Sequence, residues 1–497
     1  MILSVSEMKA VEEKAFADGV SADVLVEEAG AQIARAVRQF FPSAGVCVAV
    51  FGKGNNGADA LVAARHLAAA GWDVRLIPVF ETHEWSPMVA GKFPAASSRI
   101  AGDFHTLENA TGKPLVVLDG ILGIGATGAL REPVARLTRA INRLRHSAGA
   151  HVFALDLPTG LDGDSGVADP NCVVADTTLT MGFVKQGLLA DSATAFVGRL
   201  CVLPLAELSV RVGLSDAEMK VATPHELAPL LPRRGFDAHK GLSGRVAIVA
   251  GSLQFMGAAV LCASGALRAG AGLVTLYVAP EIAGAIAARL PAEIMLAPVA
   301  TITDVLAAKH DVIAIGPGLD RERDDAVRHI VKTSPLPMVV DADAINAIAE
   351  CPSILQTANG PRILTPHPGE MERLAPGYSA CSRRDTVETF TRGSRCTLLL
   401  KGARTIVGES GLPFSVNTTG TPGMAKGGNG DVLTGVIAAL VGQRVLPYDA
   451  ARLGAWLCGR ASEIAISHGG ETEETLSPSR ALDFLGAAFR ELRGRCY

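Results

Sequence analysis

Aromatic residues are scarce, at 5%, and charged residues make up only 19% of the 497 positions. The charges nearly cancel, with 46 Lys+Arg against 50 Asp+Glu and a net charge of −4. Such a balance leaves no broad basic field to grip a phosphate backbone, so no nucleic-acid partner is expected. The nine cysteines are scattered, odd in number and never spaced as CxxC. That argues against a disulfide scaffold or a zinc site and favours a reducing compartment. No apolar run is long enough to span a bilayer, so no membrane partner is expected. The stretch from Met1 to Lys14 has no basic start followed by an apolar core, so it does not read as a signal peptide. A cytoplasmic location follows as an expectation. Fixed-period repeats and low-complexity tracts are also missing.

What is present is apolar and glycine-rich: 48% hydrophobic residues and 53 glycines. At roughly 150 residues per domain, the length allows about two to four domains. Abundant glycine suits α/β architecture, with its many strand-to-helix turns. Ser4-x-x-Glu7 reads as a capping box opening a first helix. A second helix is predicted from about Asp23, with Leu25, Ala29, Ile33 and Val37 on one face. The apolar run Val46–Phe51 suits a buried parallel strand, followed by a glycine-rich turn and a helix from about Asp59 to Ala70. Strands at about 74–80, 115–119 and 151–156 alternate with helical stretches, which predicts a doubly wound parallel sheet. The region from about 206 to 224 is irregular and marks a domain boundary. Alternation then restarts, with strands expected at 245–250, 273–278, 312–315, 337–341, 362–365 and 396–400. Helices are expected at 256–269, 431–441 and 448–467.

In the N-terminal half, Gly52, Gly54 and Gly57 form a strand–GxGxxG–helix signal for backbone N–H groups meeting an anion. A Rossmann dehydrogenase is one reading, with Glu81 ending the next strand to hold a ribose. A tight structural turn is the blander one. Other strand ends add chemistry. Asn55 and Asn56 place two amides in the loop. Asp119 ends a strand and leads into a second glycine-rich turn, Gly123–Gly128. Asp156 ends another, before Leu157-Pro158-Thr159-Gly160. Carboxyl ends of parallel strands line the ligand crevice, so acids and amides converge there. Such a set suits proton transfer or a hard cation. Asp162-x-Asp164-x-Gly166 resembles the start of a calcium loop, but its glycine is misplaced and the closing glutamate is absent, so it reads as a turn.

GKGNNGADALVAARHL, LDGILGIGATGALREP and ALDLPTGLDGDSG resemble three motifs of the NAD(P)H-hydrate epimerase family across most of residues 1–205. The resemblance implies that Asn56, Asp119 and Thr159 hold K⁺. It implies that Asn55, Asn56, Gly57, Ala58 and Asp59, with Gly123, Ile124, Gly125, Ala126, Thr127, Gly128 and Ala129, bind the nucleotide substrate. It implies that Asp156 is the catalytic proton-transfer group. The family's usual NNGGDG reads NNGADA here, and a positive φ at Ala58 or Ala60 would strain the loop.

In the C-terminal half, Asn417–Asp431 is the densest motif, ending Lys426-Gly427-Gly428-Asn429-Gly430-Asp431 before an apolar helix. Its glycines expose N–H groups at a helix N-terminus, and Asp431 is placed to stay ionised and take a proton from a hydroxyl. Phosphoryl transfer needs both an anion cradle and a base. Lys401 ends the strand 396–400, Gly316-Pro317-Gly318 ends another, and His367 stands between two prolines. Asp341 and Asp343 share a strand end where Mg²⁺ or substrate could be met.

These blocks, with Gly251-Ser252 and Gly257-Ala258, resemble the ADP- or ATP-dependent NAD(P)H-hydrate dehydratase family across about 222–495, and Gly427–Asp431 looks like its ribokinase-like element. The resemblance implies that Ala258, Gly318, His367 and Asp431 contact hydrated NADH or NADPH. It implies that Lys401, Gly402, Ala403, Arg404, Thr405 and Gly430 contact the adenine nucleotide, ADP or ATP. The expected architecture is thus α/β: a Rossmann-like epimerase domain over 1–213 and a ribokinase-like dehydratase domain over 221–497, in a homo-oligomer. Phosphorylating the hydrate's hydroxyl makes sense chemically. Hydroxide is a poor leaving group, since water has a pKa of about 15.7, whereas phosphate leaves from a group with pKa about 6. The competing readings are a small-molecule kinase with an N-terminal nucleotide-binding regulatory domain, a regulatory protein with degenerate sites, and a hydride-transfer dehydrogenase that would leave the GGNGD motif without a role.

Overall fold

A computed structural model describes residues 1–93, 99–100, 113–126, 128–209, 218–237 and 239–494. The chain divides into two compact units, Met1–Ala217 and Glu218–Tyr497.

Among the described residues the main sheet of the first unit has seven parallel strands, beside a small parallel pair of Ile2–Leu3 with Val184–Lys185: β1 (Val46–Phe51), β2 (Asp73–Pro78), β3 (Arg99–Ile100), β4 (Leu115–Gly120), β5 (His151–Leu155), β6 (Thr177–Met181) and β7 (Arg199–Leu203). Their order is β3-β2-β1-β4-β5-β6-β7. The chain starts in the middle and winds outward both ways, which makes the unit Rossmann-like and opens a crevice between β1 and β4. Side-chain alternation shows the double winding directly. Cys47, Ala49 and Phe51 of β1 join helices α1 (Val5–Ala17), α2 (Ala22–Phe40) and α3 (Asn55–Ala69) in one core. Val46, Val48 and Val50 join α4 (Val134–Ala148) in the other. Ser4 and Glu7 do form a capping box on α1, and Ser21 caps α2.

Two local readings need correction. Helix α3 begins at Asn55, not near Asp59, because Gly54 is its N-cap and Gly57 lies inside its first turn. Ala58 and Ala60 are therefore helical, fully buried and free of positive φ, so the feared strain does not arise. β2 stops at Pro78, and Glu81 instead caps the short turn Thr82–Glu84. The Asp162 stretch is a turn, as read: Asp162 Oδ1 accepts from the Ser165 and Asp164 N–H groups.

The second unit has ten strands: β8 (Met219–Val221), β9 (Arg245–Val249), β10 (Leu273–Val278), β11 (Met295–Pro298), β12 (Val312–Ile315), β13 (Met338–Val340), β14 (Arg362–Leu364), β15 (Cys396–Leu400), β16 (Ile406–Gly408) and β17 (Phe414–Val416). Their order is β8-β17-β16-β15-β14-β13-β12-β9-β10-β11. All neighbours are parallel except β15–β16 and β16–β17. The switch point falls between β9 and β12. Helices α5 (Met256–Arg268), α6 (Pro368–Leu374), α7 (Asn429–Gly442) and α8 (Pro447–Gly469) flank the functional loops. α5 and α7 touch backbone to backbone: a Cβ on Gly435 would lie 1.9 Å from the Cys262 carbonyl oxygen, and one on Gly265 would lie 2.6 Å from that of Val432. Only glycine permits that approach, and it seats the N-terminus of α7 beside the β9–α5 loop.

Candidate active sites at two strand-end crevices

In the first unit the β1 and β4 loops meet at the switch point. Gly52 N–H donates to the Gly120 carbonyl at 3.0 Å, and Asn56 Nδ2 donates to that of Leu122 at 3.0 Å. Helix α3 has no side-chain cap, so its first-turn N–H groups face the crevice as an anion site. A Cβ on Gly123 would lie 3.5 Å from Asn56 Cβ and 3.6 Å from Asp156 Oδ2, which brings Gly123, Asn56 and Asp156 to one place. Ile124 packs on the core, while Gly125, Ala126, Gly128 and Ala129 are exposed; Thr127 lies outside the described residues.

Asp119 and Thr159 also belong together. Asp119 is fully buried and accepts from Thr159 N–H at 2.8 Å and Thr159 Oγ1 at 2.7 Å. Burial pushes its carboxyl up to about 6, against the pull of those hydrogen bonds. Asn56 Oδ1 is buried and has no hydrogen-bond partner among the described residues. An acid without a cation beside an orphaned amide oxygen is a donor set that fits K⁺.

Asp156 stands just past β5 at φ 67°, a conformation that loop aspartates tolerate and functional sites often use. Its partner was not found from the sequence: Lys185, 1% exposed, forms an ion pair with Asp156 and also donates to Thr180 Oγ1 at 3.1 Å and the Met181 carbonyl at 3.2 Å. A lysine closing the apolar stretch Thr177–Val184 was the available signal.

In the second unit, Asp431 lies in the first turn of α7, whose N-cap, Gly428 (φ 100°), offers no side chain. Burial, with Asp341 adding repulsion, pushes Asp431 up to about 6; Lys401 pulls the other way. Asp341 is buried and accepts from Lys401 Nζ at 2.8 Å and Thr434 Oγ1 at 2.7 Å. Lys401 also lies 3.8 Å from Glu370. A Cβ on Gly430 would sit 3.3 Å from Lys401 Nζ and 3.6 Å from Asp341 Oδ2. Gly430, Asp431, Lys401 and Asp341 therefore form one cluster.

His367 caps α6: its Nδ1 accepts from Gly369 N–H at 2.9 Å, and Glu370 reaches back to His367 N–H at 2.8 Å. With Nδ1 so occupied, the hydrogen-bond network assigns the proton to Nε2, making this ring a donor and not a base. Glu370 Oε1 lies 3.4 Å from that nitrogen. Gly318 (φ 62°) abuts the α5 loop, where its Cβ would meet Ala258 Cβ at 3.1 Å. Ser252 Oγ nearby is buried and has no hydrogen-bond partner among the described residues. After Lys401, Gly402 and Ala403 are exposed, Arg404 is buried and the Thr405 carbonyl accepts from Asn417 N–H at 2.8 Å. Asp343 accepts from Asp320 N–H at 3.2 Å. Among the described residues no three His, Cys, Asp or Glu side chains form a metal cage. Cavities of about 630 Å³, lined by Arg233, Arg234 and Arg493, and about 430 Å³, lined by Leu355, Tyr378 and Phe390, contain none of these residues.

Comparison with known proteins gives two family matches. Residues 246–481 match NAD(P)H-hydrate dehydratase, and residues 22–187 match the YjeF-related protein N-terminus. The chain is 35% identical to the bifunctional NAD(P)H-hydrate repair enzyme of Moorella thermoacetica, over 94% of this chain and 92% of that one. A hypothetical protein from Streptococcus mutans shares the fold of the second unit, at 24% identity and a TM-score of 0.50, over 55% of this chain and all of that one. The ADP/ATP-dependent NAD(P)H-hydrate dehydratase from Bacillus subtilis, co-crystallised with ATP/Mg²⁺, is 27% identical, with a TM-score of 0.49, over 56% of this chain and 100% of that one. With a Rossmann-like first unit, a second unit that matches NAD(P)H-hydrate dehydratase and a relative aligned over nearly its whole length, the chain belongs to the family of bifunctional NAD(P)H-hydrate repair enzymes.

Proposed function

We propose that the chain repairs hydrated nicotinamide cofactors in two steps. The unit spanning 1–213 interconverts the R and S forms of hydrated NADH and NADPH. The unit spanning 221–497 dehydrates the S form to NAD(P)H, consuming ADP (or ATP) and releasing AMP (or ADP) and phosphate. The observation that carries this reading is the duplicated arrangement: each unit opens a crevice at its switch point, where an uncapped helix N-terminus meets a buried carboxylate with a lysine partner nearby.

In the second unit the N-terminus of α7 holds the nucleotide phosphates, with the exposed turn at Gly402 and Ala403 beside them. Asp431 accepts the hydroxyl proton as the substrate oxygen attacks the terminal phosphorus. The C–O bond of the resulting ester then breaks, phosphate leaves, and the adjacent ring carbon gives up a proton to solvent, which restores the C=C bond of the dihydronicotinamide. His367 donates a hydrogen bond to substrate through Nε2. Mg²⁺ would be held mainly by the phosphates, as its preference for few protein carboxylates allows, and would neutralise their charge. In the first unit Asn56, Asp119 and Thr159 would hold K⁺, which supplies the charge that balances Asp119. Asp156, paired with Lys185, moves the proton. Only small molecules are bound in this reading, and the protein works as a cytoplasmic homo-oligomer. Among the described residues no helix is long and apolar enough to cross a membrane.

The test is a mixture of both NADH-hydrate epimers with Mg²⁺ and K⁺, to which ADP or ATP is added while dihydronicotinamide absorbance is followed. Complete recovery supports both activities and names the donor. A stable phosphorylated product without NADH would instead establish the small-molecule kinase.

A further inference from the structure

Asp59 is a buried acid that the mechanism above leaves unused. Only 8% of the residue is exposed, and among the described residues its carboxyl has no hydrogen-bond or ion-pair partner. It lies in the first turns of α3, on the element that frames the crevice. The charged groups that act on it are Asp156 from the end of β5, Glu12 from α1 and Lys185 from the strand Val184–Lys185. An isolated carboxyl is costly to bury unless something meets it, and here the polar group still to come is the substrate.

We propose that Asp59 is a second acid–base group of the epimerisation, working as the counterpart of Asp156. The inference rests on the epimerase reading of the first unit. Epimerising a hydrate at the ring carbon beside the ring nitrogen needs one proton delivered and one removed. In the forward direction Asp59 gives its proton to the hydroxyl, the C–O bond breaks, and water leaves. The nitrogen lone pair forms the C=N bond of an iminium. Water then adds to the opposite face, the electron pair returns to nitrogen, and the proton of the incoming water passes to Asp156. The reverse reaction uses the same two groups with their roles exchanged. Burial, reinforced by Asp156 and Glu12, holds the Asp59 carboxyl well above the usual carboxylate range, so it carries a proton where a surface aspartate would not.

Asp59→Asn is the decisive variant, since the amide matches a protonated carboxyl in size and charge but cannot transfer its proton. The expected result is a fall in the epimerisation rate of about 10²-fold or more, with a melting temperature at or above that of wild type and unchanged dehydration of the pure S epimer. In the wild type, the pH profile of kcat/KM should show an alkaline limb. Epimerisation in ¹⁸O-water should place solvent oxygen on the ring carbon. A variant that epimerises within about threefold of wild type, a wild-type rate that rises to a plateau with no alkaline limb, or complete retention of the original oxygen each overturns the assignment. The last two measurements decide the matter even if the variant does not fold. A wild-type protein that cannot interconvert the epimers overturns the epimerase reading itself, a different failure from an active wild type with an active Asp59→Asn.

Discussion

Replacing Asp431 by asparagine should make the second unit both inactive and more stable. The carboxyl is pushed from the ordinary 3.8 to about 6, first by burial and then by the charges of Asp341, Asp343 and Glu370. A raised acid means that the folded state binds more protons than the unfolded one between those two pH values. Stability is therefore lost as pH rises through that window, and at neutral pH the full cost stands, about 3 kcal/mol at 1.36 kcal/mol per pH unit. Asparagine carries no charge to bury, so the variant should recover part of this and melt a few degrees higher at pH 7 than at wild type. In the proposed mechanism the same group is the base, and it should serve as one above about pH 6. Roughly 90% of it is ionised at pH 7 and roughly 10% at pH 5, so kcat/KM for dehydration of the S epimer should fall about tenfold between them. Lys401 holds Asp431 down, so Lys401→Met should shift that limb to higher pH whatever it does to the absolute rate. The assays are differential scanning calorimetry and a pH series of dehydration under subsaturating substrate. A flat profile from pH 5 to 7, or an Asp431→Asn protein that keeps its rate, would refute the reasoning.

Lys185→Met leaves Asp156 buried without its cation; unfolding titrations should show a loss of about 3–5 kcal/mol, largely restored in the Lys185→Met/Asp156→Leu double variant. Gly435→Ala forces a methyl to within 1.9 Å of the Cys262 carbonyl oxygen, so α5 and α7 must part; thermal melts should record about 1–3 kcal/mol of destabilisation, and an unchanged melt would show the helices to be more compliant than described. Asn56→Leu removes the orphaned amide oxygen; epimerisation should lose its stimulation by KCl over choline chloride while S-epimer dehydration stays unchanged.

Much of this architecture was legible because strand-end chemistry is local. Glycines, amides and acids that close an apolar run, as at Gly52–Asn56 or Gly427–Asp431, mark a crevice in the sequence itself. What stayed hidden depends on partners far apart in the chain. Nothing near Lys401 says that its ammonium meets Asp341, or that Thr434 takes the other oxygen of that carboxylate. Lys185 shows in the sequence only as the lysine that follows the uncharged segment 177–184, and its burial emerges only when Asp156 turns towards it. His367 shows in the sequence only as a histidine between two prolines; its role as the cap of α6 depends on Glu370 folding back three residues later. The start of α3 was misplaced because glycine at position 57 reads as loop, whereas there it allows a close approach: a Cβ would lie 2.2 Å from the Gly52 carbonyl oxygen. Short strands such as β16 and β17 gave no periodicity long enough to detect.

The edge strand β8 has a consequence for how the protein is made. Met219–Val221 leaves the ribosome as the first strand of the second unit, yet its partner is Phe414–Val416. Until that distant segment is synthesised, β8 has nowhere to pair, and the sheet it will close stays open at that side. The first unit also waits for a late partner, Val184–Lys185 for its opening strand Ile2–Leu3, but that partner lies within the unit, which can complete itself while translation continues. A nascent chain halted before residue 414 would thus carry a finished N-terminal unit followed by an unclosed sheet. With its first strand paired to one of its last, the second unit is the one that most needs protection from aggregation during synthesis.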